Sequence, residues 1–270
     1  MTVSVVISTY NAPAWLEKVL WGYTCQDHKD FEIIVADDGS GEETREVIRY
    51  FQQNTSLEIQ HIWHEDRGYR RQTILNKAIL STRTDYLIFT DGDCIPRNDF
   101  VSTHVAQAER GYYLSGGYCK LSMRLSKSIE RDHILSQECF QLKWLRSIGS
   151  VGLSQSRKLH ARGRWASFLD IVTTAKPTFN NCNSSAWKSD LLAVNGYDER
   201  MQYGGSDREI GERLRNYGIQ GKQIRHRAIV LHLDHARGYK TAESIQRNLS
   251  IRKATRAMKV SWTPHGIQKQ

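Results

Sequence analysis

Residues 86–93 read YLIFTDGD and join a strongly apolar run to two carboxylates separated by one glycine. The run predicts a buried strand over 86–90 that ends at Asp91-Gly92-Asp93. Two carboxylates this close can hold a hard cation such as Mg²⁺ or Mn²⁺, and the glycine leaves room for a polyphosphate. A strand-to-loop turn explains the same residues, because Asp and Gly are also common in turns. The stretch therefore indicates a metal site or a turn at a strand end.

The chain before this stretch predicts three more strands, each followed by a helix. The strands fall at 3–8, 31–36 and 57–64, and the helices at 13–23, 42–53 and 72–80. This alternation predicts a sheet covered by helices on both faces. Ligands bind such sheets outside the carboxyl ends of the strands, where Ser8-Thr9-Tyr10-Asn11 and Asp37-Asp38 follow the first two. We expect these residues and the Asp91 cluster to meet at one edge.

The pattern changes after residue 100. A polar, basic middle at 124–164 carries only isolated helical signals, such as 134–145. A helix at 207–217 follows Gly204-Gly205, and a strand is predicted at 229–233. Residues 241–259 are predicted to form a basic helical tail.

Composition excludes several classes of protein. The 270 residues are 39% hydrophobic and 25% charged, which is unlike disordered, collagen or coiled-coil chains. The five cysteines form no CxxC pair, so no zinc knuckle or disulfide framework is indicated. No apolar run is long enough to cross a bilayer, and the first residues show no leader pattern. We expect a cytoplasmic protein.

Positive charge is concentrated near the C-terminal end. The net charge is +9, and residues 208–270 carry 14 Lys plus Arg against 4 Asp plus Glu, or +10. Such a region suits an anionic partner such as a membrane surface, a nucleic acid or a phosphorylated glycolipid. A solvated basic face explains the same charges.

Six motifs in order give the chain its strongest resemblance. They are VVISTYN at 5–11, IIVADDGS at 33–40, DRGYRRQTILNKAI at 66–79, FTDGDC at 89–94, NNCNSSAWKSDLLAVNGYDE at 180–199 and GGSDREIGERL at 204–214. The chain resembles the family 2 nucleotide-sugar glycosyltransferases, and its C-terminal half is similar to the galactosyltransferase and chondroitin-polymerase type. The resemblance implies an α/β fold of the GT-A (Rossmann-like) class, with a mixed, mainly parallel sheet flanked by helices and a basic helical C-terminal tail. It divides the chain into a glycosyltransferase domain at 1–240 and the tail at 241–270, with a nucleotide-binding half at 1–100 and an acceptor half at 101–240.

The resemblance also assigns residues to the donor. It implies that Ser8, Tyr10 and Asp38 surround the nucleobase, with Asp37 alongside, since a carboxylate accepts an imide N–H and a tyrosine offers a stacking face. Arg70 and Asn76 match the residues that approach the phosphates, although Arg71 offers the same guanidinium. Asn183 matches a residue that lines the donor sugar. Core packing, turn caps and polar loops explain the same side chains.

The resemblance also implies a metal site and a general base. Asp91 and Asp93 are implied to bind a divalent cation, Mn²⁺ or Mg²⁺, with His232 as third ligand and His235 as the alternative. Asp207 matches the general base of an inverting transfer, although Ser206 stands where the family has Glu. A helix N-cap explains Asp207 as well.

The resemblance implies an inverting, metal-dependent transfer from a nucleoside-diphosphate sugar, most simply a UDP-sugar. The implied acceptor is a saccharide or lipid-linked saccharide in bacterial surface polysaccharide or lipopolysaccharide synthesis. The basic tail helix suits peripheral contact with an anionic membrane at the inner face, although packing on the domain with its charges outward explains it too.

Two other classes of function are weaker. A sugar-nucleotide nucleotidyltransferase relies on a glycine-rich basic loop after the first strand, which residues 8–11 do not provide. A basic nucleic-acid-binding protein leaves the clustered carboxylates unexplained, since they repel phosphate. We expect no nucleic-acid partner.

Overall fold

The computed structural model describes residues 1–236 and 240–269. Its strands are β1 Val3–Thr9, β2 Phe31–Asp37, β3 Glu58–Trp63, β4 Tyr86–Asp91, β5 Cys94–Pro96, β6 Tyr112–Ser115, β7 Gly117–Lys120, β8 Ser184–Trp187, β9 Gln220–Gln223 and β10 Ile229–His232. Its helices are α1 Pro13–Thr24, α2 Glu42–Asn54, α3 Arg71–Ser81, α4 Phe100–Gln107, α5 Met123–Ser128, α6 Arg131–Leu135, α7 Leu142–Ile148, α8 Leu153–His160, α9 Gly163–Val172, α10 Lys188–Ala193, α11 Ser206–Tyr217 and α12 Ala242–Ala257. The alternation predicted for the first hundred residues is confirmed.

Two sheets organise the chain. The larger has the order β3-β2-β1-β4-β8-β6-β9, and β8 runs antiparallel to both of its neighbours while the remaining pairs are parallel. The smaller has the order β5-β10-β7. Because β5 follows Asp93 directly and pairs with β10, the second sheet brings His232 opposite Cys94. This pairing joins the chain near residue 93 to the chain near residue 232.

The core lies on both faces of the larger sheet, as side-chain alternation along buried strands requires. Val5 and Ile7 of β1 face a core that includes α1 and α2. Val6 faces the other core, which includes α3 and α11. All three side chains are fully buried, which explains why β1 reads as a continuous β-branched run.

The middle of the chain forms short helices and not the single helix suggested at 134–145. Helix α6 ends at Leu135, a 3₁₀ turn spans Glu138–Phe140, and α7 begins at Leu142. Gln137 adopts a left-handed conformation with φ of 60°. That backbone conformation cannot continue a right-handed helix, so the chain turns there.

The basic tail is helical, as predicted. Thr241 caps α12 by accepting a hydrogen bond from Ser244 N at 3.1 Å. The helix packs against α11 through polar contacts, including an Arg252–Glu212 ion pair at 2.6 Å. Within the described residues, no helix combines the length and the apolar character that a membrane span needs.

Candidate active site

A cleft of about 1170 Å³ opens at the carboxyl ends of β1 and β4, beside the start of α11. Ser8 from β1, Asp38 just after β2 and Asp91 from β4 all line it, so the polar strand ends converge as the sequence predicted. The carboxylates and histidines that sequence reasoning singled out and that line this cleft are Asp38, Asp91, Asp93, Asp207, His232 and His235.

Tyr10 and Asp38 lie at one end of the cleft. Tyr10 is 46% exposed, and its hydroxyl donates to Asp66 Oδ2 at 2.8 Å. Asp38 is buried, with Oδ1 2.8 Å from His64 Nε2 and Oδ2 accepting from Arg70 N at 3.0 Å. Burial raises the pKa of the Asp38 carboxyl although these two contacts oppose the shift. An exposed ring and a fixed carboxylate thus share this end of the cleft.

Gly39 allows this arrangement. It has a φ of 99°, and a Cβ there would lie 2.7 Å from the backbone of Asp66. Only glycine accepts both the left-handed conformation and the close approach. The loop that carries Asp66 can therefore approach Asp38 and Tyr10.

Asp37 does not line the cleft, in contrast to the expectation that it lies alongside Asp38 there. It is 1% exposed. Its Oδ1 accepts from Ser40 N at 2.8 Å, and its Oδ2 lies 2.9 Å from His61 Nε2. Both carboxylate oxygens are thus engaged in holding the turn after β2.

Arg71, and not Arg70, reaches the cleft. The Arg70 guanidinium donates to Glu65 O, and Arg70 is not part of the cleft lining. Arg71 Nη2 donates to Ser8 Oγ at 2.8 Å and forms an ion pair with Asp91. Helix α3 begins at Arg71, so the one-residue difference between these neighbours decides which side chain faces the strand ends. The structure thus places Arg71, the alternative that the sequence offered, at the cleft and Arg70 away from it.

Asn76 and Asn183 are structural, which also departs from the sequence-based expectation. Asn76 is buried, donates to Tyr197 O at 2.9 Å and accepts from Tyr197 N at 2.7 Å. Asn183 is fully buried, donates to Gly117 O and Ala228 O, and lies 3.0 Å from His104 Nε2. Neither lines the cleft, because each amide satisfies buried backbone or ring groups instead.

Asp93 lies between two histidines from the far end of the chain. Its Oδ2 is 3.1 Å from His235 Nε2, and donor atoms of Asp93, Cys94 and His232 all lie within 4.8 Å of one another. The Nδ1 atoms of His232 and His235 are 2.9 and 2.8 Å from backbone carbonyls. Since a carbonyl only accepts, each Nδ1 carries a proton. Each Nε2, including the His235 Nε2 that faces Asp93, would be the nitrogen that binds a metal once it is unprotonated.

This donor set fits a divalent cation. A carboxylate with two imidazoles suits Mn²⁺ better than Mg²⁺, which prefers oxygen ligands. Burial alone would raise the pKa of Asp93, but the His235 hydrogen bond and the charges of His232 and His235 leave that pKa below its ordinary value. Asp91 lies in the same cleft, but Arg71 and Ser8 engage its carboxylate.

Asp207 stands in the first turn of α11 and also lines the cleft. Its Oδ1 accepts from Arg208 N at 2.8 Å. Burial raises the pKa of Asp207, the charge of Asp91 acts in the same direction, and Arg208 and Arg71 oppose them. A half-buried carboxylate with a raised pKa and an open approach can accept a proton.

Sequence reasoning did not find the residues that hold the turn before Asp207. Asn248 Nδ2 of α12 lies 3.0, 3.1 and 2.9 Å from the carbonyls of Gln202, Tyr203 and Gly204, so its two hydrogens are shared among three acceptors. Three further residues of α12 line the cleft, namely Ile245, Leu249 and Arg252. No local pattern marks Asn248, because its partners lie more than forty residues away.

The fold and the cleft place the molecule in the GT-A class of glycosyltransferase folds. Residues 4–123 match the model of glycosyl transferase family 2, and residues 169–236 match the N-terminal domain of galactosyltransferase. These two matches confirm the resemblance that the six motifs indicate.

One related sequence is the validoxylamine A glucosyltransferase of Streptomyces hygroscopicus subsp. jinggangensis. It is 29% identical over 226 residues, which are 80% of this chain and 52% of that protein. The chain thus spans about half the length of this relative.

Two solved structures show the same fold. The mannosyltransferase PcManGT of Pyrobaculum calidifontis, in complex with GDP-Man and Mn²⁺, has a TM-score of 0.58 at 17% identity over 95% of this chain and 62% of that one. TarS residues 1–349 of S. aureus, in complex with UDP-GlcNAc, has a TM-score of 0.62 at 15% identity over 96% of this chain and 69% of that one.

Proposed function

We propose that this chain transfers a sugar, with inversion, from a nucleoside-diphosphate sugar to a hydroxyl of a saccharide or lipid-linked saccharide. The observation that carries the proposal is that Asp207 and the Asp93, His232 and His235 cluster open into one cleft. The proposed donor is a UDP-sugar and the proposed setting is bacterial surface polysaccharide or lipopolysaccharide synthesis. The UDP-GlcNAc and GDP-Man complexes of proteins with this fold support a nucleotide-sugar donor.

The end of the cleft that holds Tyr10 and Asp38 receives the nucleobase. The Asp38 carboxylate is fixed by His64 and Arg70 N, so it can accept the imide N–H of uracil without rearranging. The Tyr10 ring is exposed and can stack on the base. Asp37 and Asn183 have no part in this site.

The diphosphate lies between Arg71 and the Asp93 cluster. Asp93, His232 and His235 would hold a divalent cation, which supplies positive charge for the leaving diphosphate. The Mn²⁺ complex of a protein with this fold supports a cation in such a site. Arg71 has a fork of donors that suits phosphate oxygens, and it already lies against Ser8 and Asp91.

Asp207 accepts the proton of the attacking hydroxyl. The acceptor oxygen forms a bond to the anomeric carbon of the donor while the bond from that carbon to the phosphate oxygen breaks. The proton passes to the Asp207 carboxylate and the nucleoside diphosphate leaves. A raised pKa makes Asp207 a stronger base than an ordinary aspartate, provided that the pH keeps it ionised.

The first experiment is calorimetric titration of UDP into the protein with Mn²⁺ and again with EDTA. We expect binding that requires the metal. Asp93→Ala should weaken this binding at least about tenfold, since it removes the carboxylate between two histidines. Equal UDP affinity for Asp93→Ala and the parent protein would remove Asp93 from the metal site.

Asp207→Asn tests the base separately. The amide keeps the size of the side chain but cannot accept the proton, so UDP binding should persist while transfer falls at least about a hundredfold. Glu46→Gln on the exposed face of α2 is the matched control and should retain full activity. Full transfer by Asp207→Asn would exclude Asp207 as the base.

A further inference from the structure

Helix α9 presents an apolar face to solvent. The side chains concerned, called the α9 stripe below, are Trp165, Phe168, Ile171 and Val172, which are 57%, 49%, 81% and 52% exposed. Their spacing places them on one side of the helix. Ala166, Leu169 and Asp170 on the other side are buried against the domain. Four large exposed apolar residues on one helix face indicate a surface that contacts another body.

Two of these residues form an aromatic pair. The rings of Trp165 and Phe168 stack with centroids 5.4 Å apart and an interplanar angle of 23°. Tryptophan and phenylalanine on one side of a surface helix are typical of helices that lie in the interfacial region of a bilayer. The stripe therefore has the residue types of such helices.

Arginines adjoin the α9 stripe. A cleft of about 590 Å³ between α4 and α9 is lined by Phe168 and Ile171 and by four arginines, namely Arg97, Arg162, Arg164 and Arg227. Asp99 neutralises Arg97 and Asp170 neutralises Arg227. Arg162 and Arg164 are exposed, and no carboxylate pairs with either in the part of the chain that the structure describes. Two positive charges thus stand beside the apolar stripe.

The exposed charges of the segment around the α9 stripe are all positive. Residues 149–178 contain five Lys plus Arg and a single acidic residue, Asp170. Asp170 is buried and bound to His226 and Arg227. A positively charged rim around an apolar stripe is complementary to an anionic lipid surface, where each basic residue adds to the binding.

We propose that the α9 stripe and the adjoining arginine cleft dock on the surface of an anionic phospholipid membrane. The stripe lies among the headgroups and upper acyl chains, and Arg162 and Arg164 bind lipid phosphates. The proposal goes beyond the transfer reaction and does not depend on the donor or the acceptor.

The surface is distinct from the basic tail helix. The outward side of α12 carries Gln246, Arg247, Ser250 and Lys253, all of them exposed. The one large apolar side chain of α12 that is exposed, Leu249, lines the active-site cleft, so the charged side of this helix can approach anionic lipid but has little to insert. Of the two basic helices, α9 is therefore the one suited to enter the interface.

Vesicle flotation tests the proposal with the full chain. One set of vesicles contains phosphatidylcholine alone, and the other contains about three parts phosphatidylcholine to one part phosphatidylglycerol. We expect binding to the second set that weakens at high salt. The double variant Trp165→Gln with Ile171→Gln should reduce the bound fraction about tenfold, because it removes the inserted side chains. Arg162→Gln with Arg164→Gln should remove the preference for phosphatidylglycerol.

Two control variants match these changes in chemistry but lie elsewhere. Leu80→Gln replaces an exposed leucine on α3, and Lys253→Gln removes a charge from α12. Both should bind vesicles as the parent protein does, and all variants should keep its thermal midpoint. Absence of binding to either vesicle, or equal binding by the stripe variant, would overturn the proposal. A dimer that the stripe variant converts to a monomer, without vesicle binding, would assign the face to a second copy of the chain.

Discussion

At the scale of single residues, burial lowers the pKa of one histidine. His104 of α4 is fully buried, with Nδ1 2.8 Å from Ser185 Oγ and Nε2 3.0 Å from Asn183 Oδ1. Burial lowers the pKa of His104 from 6.5 to about 4, although the Asn183 contact opposes the shift. The folded protein therefore keeps this ring neutral at pH values where the unfolded chain protonates it.

The free energy of unfolding should consequently fall as the pH decreases from 6.5 to about 4. Below pH 6.5 the unfolded state binds a proton that the folded state excludes, so the loss develops between pH 6.5 and about 4. It should reach about 3 kcal/mol at the low end. Urea unfolding at pH 7 and pH 5 measures it, with His104→Gln expected to reduce the pH dependence. His160→Gln, at an exposed histidine, should retain the slope. An unchanged slope in His104→Gln would refute this account.

At the scale of elements, the contact between α11 and α12 determines the position of Asp207. The Asn248 amide holds three consecutive carbonyls of the turn that leads into α11. Thr255 adds a 3.0 Å bond to Glu209, which is paired with the buried Arg213. The inward face of α12 is thus polar. It holds the turn through hydrogen bonds more than through apolar burial.

Asn248→Ala should lower turnover and leave donor binding intact. The turn would lose its three contacts, and a displacement of Asp207 by even about 1 Å can reduce the rate up to a hundredfold. UDP affinity should not change, because β1, β2 and β4 are untouched. Ser250→Ala on the exposed face of α12 is the control. Comparison of kcat with the UDP dissociation constant separates the two effects, and equal losses in both would contradict the positioning role.

At the scale of the whole molecule, the last residues close the second core. Asn195 Nδ2 donates to Thr263 O and Gln268 O at 2.7 and 2.9 Å, and Thr263 Oγ1 donates to Asp198 Oδ2 at 2.9 Å. Ile267 packs against the core that includes α3 and α11. The end of the chain is therefore tied to the loop after α10.

Removal of residues 260–270 should lower the thermal midpoint by roughly 10 °C, since several buried hydrogen bonds and one apolar contact are lost together. Metal-dependent UDP binding should persist at low temperature. The control is Lys269→Gln, which breaks the ion pair to Glu199 and the hydrogen bond to Gly266 O. Such a surface pair contributes about 1 kcal/mol or less, so this midpoint should barely move. A truncated protein with an unchanged midpoint would show that the segment does not stabilise the core.

Much of the first hundred residues was predictable because the information there is local. Apolar runs of strand length, helix-forming stretches after each, and polar residues at each strand end follow from neighbours in sequence. The convergence of Ser8, Asp38 and Asp91 then follows from parallel strand order. The middle of the chain was less predictable, because its short helices depend on single residues such as Gln137.

The sequence by itself determined the order of the first strands and helices, the edge at which polar groups gather and the resemblance to the family 2 glycosyltransferases. Only the tertiary structure decided which neighbour faces the cleft, selecting Arg71 over Arg70 and assigning Asn76 and Asn183 to structural bonds. It also placed both His232 and His235 beside Asp93. The physical reason is that each of these choices depends on partners distant in sequence, which strand pairing and packing bring together and no local pattern records.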